Sequence, residues 1–382
     1  MKAKINLILW YLLPVLCWGK NLSFREENDS SITSLKFIGE YVIPYNFTFK
    51  STTVGGLSGI DYDKTNEIYY LLSDDRSANN PSRFYTAKIV LSKTGIDTVQ
   101  FLGVHFLLQK NGQPFPSAKE DPTHTEDPES IRYNASSKQI VWTSEGERNV
   151  KPNLSILINP SITLAQPDGA YVDTFPVPQN LFMQTTENGP RQNGTLEGVT
   201  FDENFEKMYV SLEEPRYEDG PPADVVKTNS WVRIFAYEVA TKKNFAQYAY
   251  ALEPVAHPAN PPGAFKINGV DEILWLGKEK LLVMERSFST GRLACAVKVF
   301  IADLHQATHV EGIKSLKENP PVHPVSKKML LNMDDLGLFI DNLEGMTFGP
   351  ILPNGHKTIL FVSDNNFNPL EKMQFLLFEV IP

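Results

Sequence analysis

Cysteine is almost missing from this 382-residue chain, which carries only Cys17 and Cys295. Cys17 sits in an apolar N-terminal run, so a chain trimmed beyond it keeps one thiol and has no internal disulfide. The fold must then be held by its core, with bound metal as the remaining staple. Excess positive charge is missing too. With 36 Lys and Arg against 45 Asp and Glu the net charge is −9, which excludes nucleic acid and anionic membrane as natural partners, since both select a basic face. A cation or cationic group is the better complement. The chain has no Gly-x-Ser-x-Gly elbow, no His-Glu-x-x-His pair and no glycine-rich phosphate loop. The signatures of serine hydrolases, zincins and P-loop enzymes are therefore absent.

No apolar run reaches the roughly twenty residues that a bilayer span requires. The longest, from Ile5 to Cys17, follows Lys2 and Lys4 and contains Pro14, the layout of a secretory signal. Residues 1–19 are accordingly expected to be a signal peptide, 20–34 a flexible lead and 35–382 a single domain. The protein is expected to be secreted or periplasmic, monomeric, and without a membrane span. Proline and glycine, by contrast, are plentiful at 27 and 23 residues, with 11% aromatics. That composition suits a turn-rich all-β domain with a large core.

One pattern organises the rest. Five times an alternating strand opens on a turn next to an acid or its stand-in, and a second strand closes on further acids. The openings are at Leu57-Ser58-Gly59, Glu129-Ser130, Glu197-Gly198, Asp271-Glu272 and Glu344-Gly345. With Leu57, Glu129, Glu197, Glu272 and Glu344 as markers, the steps are 72, 68, 75 and 72 residues. A near-constant period built of short strands and turns predicts propeller blades. Five four-stranded blades are expected, with six as the alternative if the long segments conceal one. In the second blade the third strand is expected over 154–159. The last blade supplies only three strands, and the segment beginning at Leu35 has no partner, so the N-terminal strand is expected to join the last blade and close the ring.

The long connections 109–127, 183–195, 213–230 and 253–270 all belong to one face, which marks it as the working face. The other long connection, 303–326, lies opposite and reads as structural. Glu129, Glu197, Glu272 and Glu344 begin innermost strands and should converge on the channel mouth. Asp75, Glu145, Glu147, Glu213, Glu214, Glu285 and Asp364 close the second strands at the same end. So many acids require a positive partner. A divalent cation is one candidate, because carboxylates beside amide oxygens such as Asn342, Asn365 and Asn366 are hard ligands suited to Ca2+. The chain's arginines are the other: Arg76, Arg148 and Arg216 each fall nineteen residues after their marker and Arg286 fourteen after Glu272. They would neutralise the acids or bind an anionic substrate. A purely structural ring, with each carboxylate accepting N–H bonds from the next blade, stands beside both. Weaker candidates are His124 among acids on the rim and Ser58, which has no identifiable base.

Gly55-Gly56-Leu57-Ser58-Gly59-Ile60-Asp61, Leu72-Ser73-Asp74-Asp75-Arg76, Asp127-Pro128-Glu129-Ser130-Ile131, Leu196-Glu197-Gly198, Met284-Glu285-Arg286, Asn342-Leu343-Glu344-Gly345 and Phe361-Val362-Ser363-Asp364-Asn365 give the chain its likeness to a known family. At these residues it resembles the phytase-like proteins described as "esterase-like activity of phytase". The resemblance implies a propeller that hydrolyses a phosphate or carboxylate ester of a small anionic substrate, with calcium in an acidic cleft. Glu129, Glu197 and Glu344 are then expected to be catalytic, with Glu272 and Asp364 joining them as metal ligands. Arg76, Arg148, Arg216 and Arg286 are expected to hold the substrate. The alternative is a non-catalytic propeller that binds a ligand or protein on its long-loop face.

Overall fold

The computed structural model describes residues 32–92 and 94–382; the expected signal peptide and nearly all of the expected flexible lead lie outside them. Five antiparallel four-stranded sheets follow one another along the chain. Blade 1 is Leu57–Asp63, Ile68–Ser73, Arg83–Leu91 and Ile96–Phe106. Blade 2 is Pro128–Asn134, Gln139–Ser144, Ser161–Ala165 and Tyr171–Phe175. Blade 3 is Leu196–Phe201, Lys207–Leu212, Trp231–Glu238 and Lys243–Ala251. Blade 4 is Lys266–Gly277, Lys280–Ser289, Ala296–Asp303 and Ser326–Asn332. Blade 5 takes Asn342–Phe348, Thr358–Asp364 and Met373–Ile381 from the end of the chain. Its outer strand is Ser34–Ile43, which pairs antiparallel with Met373–Ile381. The ends of the domain are thus tied in one sheet, and no open edge separates first and last blades.

The inner strand of every blade packs on those of its two neighbours, 1–2–3–4–5 and back to 1, so the ring is closed. Buried apolar side chains lie between blades: Tyr70 and Leu72 meet Ile131 and Trp142 between the first two, and Leu282 and Met284 meet Met346 and Phe361 between the last two. Alternation sends one face of each strand into each such layer. Among the described residues no helix is long and apolar enough to cross a membrane.

Blade 2 departs from expectation. Ile156–Ile158 is a short hairpin with Glu147–Asn149 on the connecting loop, and the third strand of the blade begins after Pro160, with Ser161 opposite Ser144. Proline cannot donate to a ladder, so the sheet starts beyond it. The connection 304–325 is ordered as well. It runs along the outer strand of blade 3, where Val310 and Val325 bond Gln247 and Ala249, and reaches the loop that holds Asp219.

Candidate active site at the channel mouth

Each inner strand is irregular near the channel mouth, and the irregularity redirects a side chain there. Pairing skips Ser58 in blade 1, Asp271 in blade 4 and Glu344 in blade 5. In blades 2 and 3 it skips Glu129 with Ser130 and Glu197 with Gly198. A bulged residue leaves the ladder and its side chain is redirected. Opposite, the residue that follows the partner of the last paired residue before the skip is Asp74, Glu145, Glu213, Arg286 or Asp364. Eight of these ten positions carry a carboxylate; the exceptions are Ser58 and Arg286.

This register corrects three sequence assignments. Asp271, not Glu272, matches Glu129, Glu197 and Glu344; Asp74, not Asp75, is the mouth residue of blade 1; and Arg286, not Glu285, is that of blade 4. Asp75 turns aside to the buried Arg83, 2.8 Å away, and Glu285 accepts from Tyr250, Asn268 and Lys327. Two successive acids at 271–272 made the shift invisible until the pairing was known.

Glu272 belongs to the layer below. There the other blades have Gly59, Ser130, Gly198 and Gly345, because the inner strands converge: a Cβ on Gly198 would lie 2.6 Å from the Ile273 nitrogen. Glu272 accepts from Ile273 N, Val199 N and Ser130 Oγ at 2.9, 3.2 and 3.0 Å. Its Oε2 also sits 2.9 Å from Arg132 Nη2. The Arg132 guanidinium donates in turn to the carbonyls of Ile60, Ile131, Ile273 and Met346. This pair plugs the channel, and Glu272 has no capacity left for a metal.

Above the plug, three triads, two of them sharing Glu145, lie within reach of a cation. Asp74, Glu344 and Asp364 form one, Asp127, Glu129 and Glu145 another, and Glu145, Glu197 and Glu213 the third, with oxygens in each within 4.8 Å of one another. Two ionised carboxylates at that separation repel by about 3 kcal/mol at an effective dielectric near 20. Burial and neighbouring acids hold the Asp74, Glu129 and Glu197 carboxyls well above the usual range. Burial likewise pushes Glu145 up to about 8, and Asp271 and Glu344 to about 7 despite the opposing effect of Arg286. Among the described residues, Glu145 Oε2 and Asp271 Oδ2 are buried without a hydrogen-bond partner. Clustered acids that favour protons and leave buried oxygens orphaned fit a divalent cation, whose ligand oxygens stand roughly this far apart.

Most of these acids open into a cavity of about 860 Å3 on the long-loop face. Two of the four expected arginines reach it. Arg286 Nη2 is 2.5 Å from Asp271 Oδ1 and 3.5 Å from both Glu344 Oε1 and Glu213 Oε1. Arg76 bridges Asp127 at 3.3 Å and Glu147 at 2.5 Å. The other two do not converge. Arg148 donates to the carbonyls of Gln184, Thr185 and Thr186 on the rim and lies over the Tyr217 ring. Arg216, with Arg233, is clamped on the buried carboxylate of Asp219 and holds Lys314 O, tying the loop of blade 3 to the connection 304–325. Equal spacing from a marker does not give equal direction once the loops differ in length.

Of the expected amide oxygens, that of Asn365 accepts from Gly56 N, while Asn342 donates Nδ2 to Glu344 and Asp364. Ser58 Oγ points to Pro128 O at 3.4 Å. His124 is an exposed partner of Asp121. Sequence reasoning missed Arg292, an exposed side chain that lines the cavity, and the apolar residues beside it.

Fold and mouth together define a five-bladed propeller with a carboxylate-lined axial site. The chain belongs to the phytase-like family: the family model "Esterase-like activity of phytase" matches residues 52–367. No curated protein matches the chain. Among solved structures it is similar to an endo-arabinase from Bacteroides thetaiotaomicron at 13% identity, with 90% of this chain and 97% of that chain covered and a TM-score of 0.43. For an alpha-L-arabinofuranosidase from Lactobacillus brevis the figures are 11%, 88%, 92% and 0.45, and for an arabinanase from Bacillus subtilis 12%, 90%, 96% and 0.39.

Proposed function

We propose that this protein is a calcium-dependent hydrolase of phosphate or carboxylate esters, working at the channel mouth. The observation that carries the reading is the set of three carboxylate triads at one channel mouth, with Glu145 Oε2 buried and, among the described residues, without a hydrogen-bond partner. Glu145, Glu197 and Glu213 would hold one cation, and Asp74, Glu344 and Asp364 a second. Bound calcium would supply a Lewis acid for the ester oxygen and lower the pKa of coordinated water.

The chain's own groups have separate tasks. Arg286, fixed by Asp271, separates the two sets of acids and faces the developing negative charge. Arg76, braced by Asp127 and Glu147, lines the opposite wall. In the overall reaction a water oxygen bonds to phosphorus or the acyl carbon, the bond to the ester oxygen breaks, and one water proton ends on the leaving alcohol. A mouth carboxyl such as Glu129, whose surroundings favour its protonated form, is suited to carry that proton.

Removal of calcium with EDTA is expected to abolish turnover of p-nitrophenyl phosphate or acetate, and calcium to restore it. Glu197→Gln should lower turnover at least tenfold with the protein folded. A folded protein that binds calcium yet turns over neither ester would instead be the non-catalytic propeller.

A further inference from the structure

The wall of the cavity is uneven. Toward blades 1 to 3 it is polar, with Arg76, Gln192, Asn193 and Glu214; toward blades 4 and 5 Phe265, Ile267, Phe288, Leu293 and Leu370 stand among polar groups such as Asn366, Asn368 and Glu371. Single exposed apolar residues are ordinary on any surface, but these are not scattered. Among the described residues only Leu154, Val226, Phe265, Leu293, Val322 and Leu370 are large, apolar and more than 60% exposed. Three of those six, at 64%, 82% and 81%, line this one cavity. They come from three different connections, 252–265, 290–295 and 365–372, so their convergence is a property of the assembled face. Phe265 stands over Phe288, ring centroids 6.1 Å apart.

Arg292 adjoins Leu293 in the same wall. Its side chain is exposed, and among the described residues it makes no ion pair, unlike Arg76 and Arg286. An anion-binding group and a hydrocarbon-binding group are thus presented by consecutive residues, above a floor made for cations. A polyanion with charge on every side would set hydrated groups against Phe265, Leu293 and Leu370 and lose their contribution. A molecule with one anionic end and one hydrocarbon end would use both.

We propose that the site takes amphipathic esters: the anionic head lies at the acid-lined floor and Arg292, and an alkyl group of several carbons lies along Phe265, Phe288, Leu293 and Leu370. This rests on the hydrolase reading above and narrows it to a substrate class. The cavity is of the size that holds such a molecule.

The test is titration calorimetry of the calcium-loaded full chain with methyl-, butyl- and hexylphosphonate, which cannot be hydrolysed. Full burial of a methylene improves affinity about fourfold; a wall covering one side should give about twofold per carbon, so hexylphosphonate should bind roughly thirtyfold more tightly than methylphosphonate. The triple variant Phe265→Ser, Leu293→Ser, Leu370→Ser changes only exposed positions and should flatten the series. If methylphosphonate binds and the longer chains gain nothing, the amphipathic assignment fails while the metal-and-anion site stands. If no phosphonate binds with calcium present, this assignment falls, and turnover of p-nitrophenyl acetate decides the hydrolase reading separately.

Discussion

Two acid-bearing layers lie one above the other on the propeller axis, and they are neutralised in opposite ways. In the lower layer a single carboxylate, Glu272, meets Arg132, a hydroxyl and two backbone N–H groups. In the upper layer eight carboxylates share Arg286, with Arg76 at the edge. Burial is similar; the supply of partners is not. A layer completed from within serves the fold, and one left short of positive charge is built for something that arrives.

The largest effect that sharpens this contrast is in the plug. Arg132→Met would strand Glu272 and leave four inner-strand carbonyls without their donor, and removing one partner of a buried pair costs about 3–5 kcal/mol. The fall in Tm by calorimetry should be the same in calcium and in EDTA. A fall that calcium erases would mean that the two layers are one site.

Calcium itself should act on the upper layer with a definite pH dependence. Its acids have folded pKa values raised above the unfolded ones, near 4, to about 6 for Asp127, 7 for Asp271 and Glu344, and 8 for Glu145. Their contribution to stability is therefore complete below pH about 4 and is lost as pH rises through about 6 to 8. Without metal, Tm should fall between pH 5 and pH 8. Calcium at a hundred times its Kd should return about 2.7 kcal/mol, and return more at pH 8 than at pH 5, because the ion competes with protons. Equal stabilisation at both values would show that these carboxyls do not hold it.

One ligand at a time, the effect is smaller. Glu197→Gln removes a charge that borders the triad with Glu145 and Glu213, and about 2 kcal/mol of attraction corresponds to roughly thirtyfold in calcium affinity. Calorimetric titration of the variant checks it; an unchanged Kd would remove Glu197 from the site.

The ring was legible because its signal repeats: five strand pairs at a near-constant period, and one strand too few at the C-terminal end, sufficed for five blades and their closure by Ser34–Ile43. The position of Glu129, Glu197, Glu344 and Asp364 at the mouth was legible for the same reason. Positions that depend on register were not. Asp271 and Glu272 are neighbours with opposite fates, and only the pairing of Val270 with Glu285 separates them. Side-chain direction in loops was least legible, since period carries no information about where a loop turns. Arg292, Leu293 and Leu370 have no counterpart in the repeat and come together only when blades 4 and 5 are side by side.

The smallest predicted effect tests that last distinction. By spacing, Arg148 belongs with Arg76; by structure it caps three carbonyls on the rim and stacks on Tyr217, outside the residues that line the mouth. Arg148→Ala should leave inorganic phosphate affinity of the calcium-loaded protein within twofold, while loss of its carbonyl and ring contacts should cost about 1 kcal/mol of stability. Arg292→Ala, which removes an exposed guanidinium from the mouth itself, should weaken phosphate severalfold with little change in Tm. If the two variants exchange behaviour, the repeat was the better guide to the anion site than the cavity, and the rim of blade 2 becomes the surface that meets the substrate.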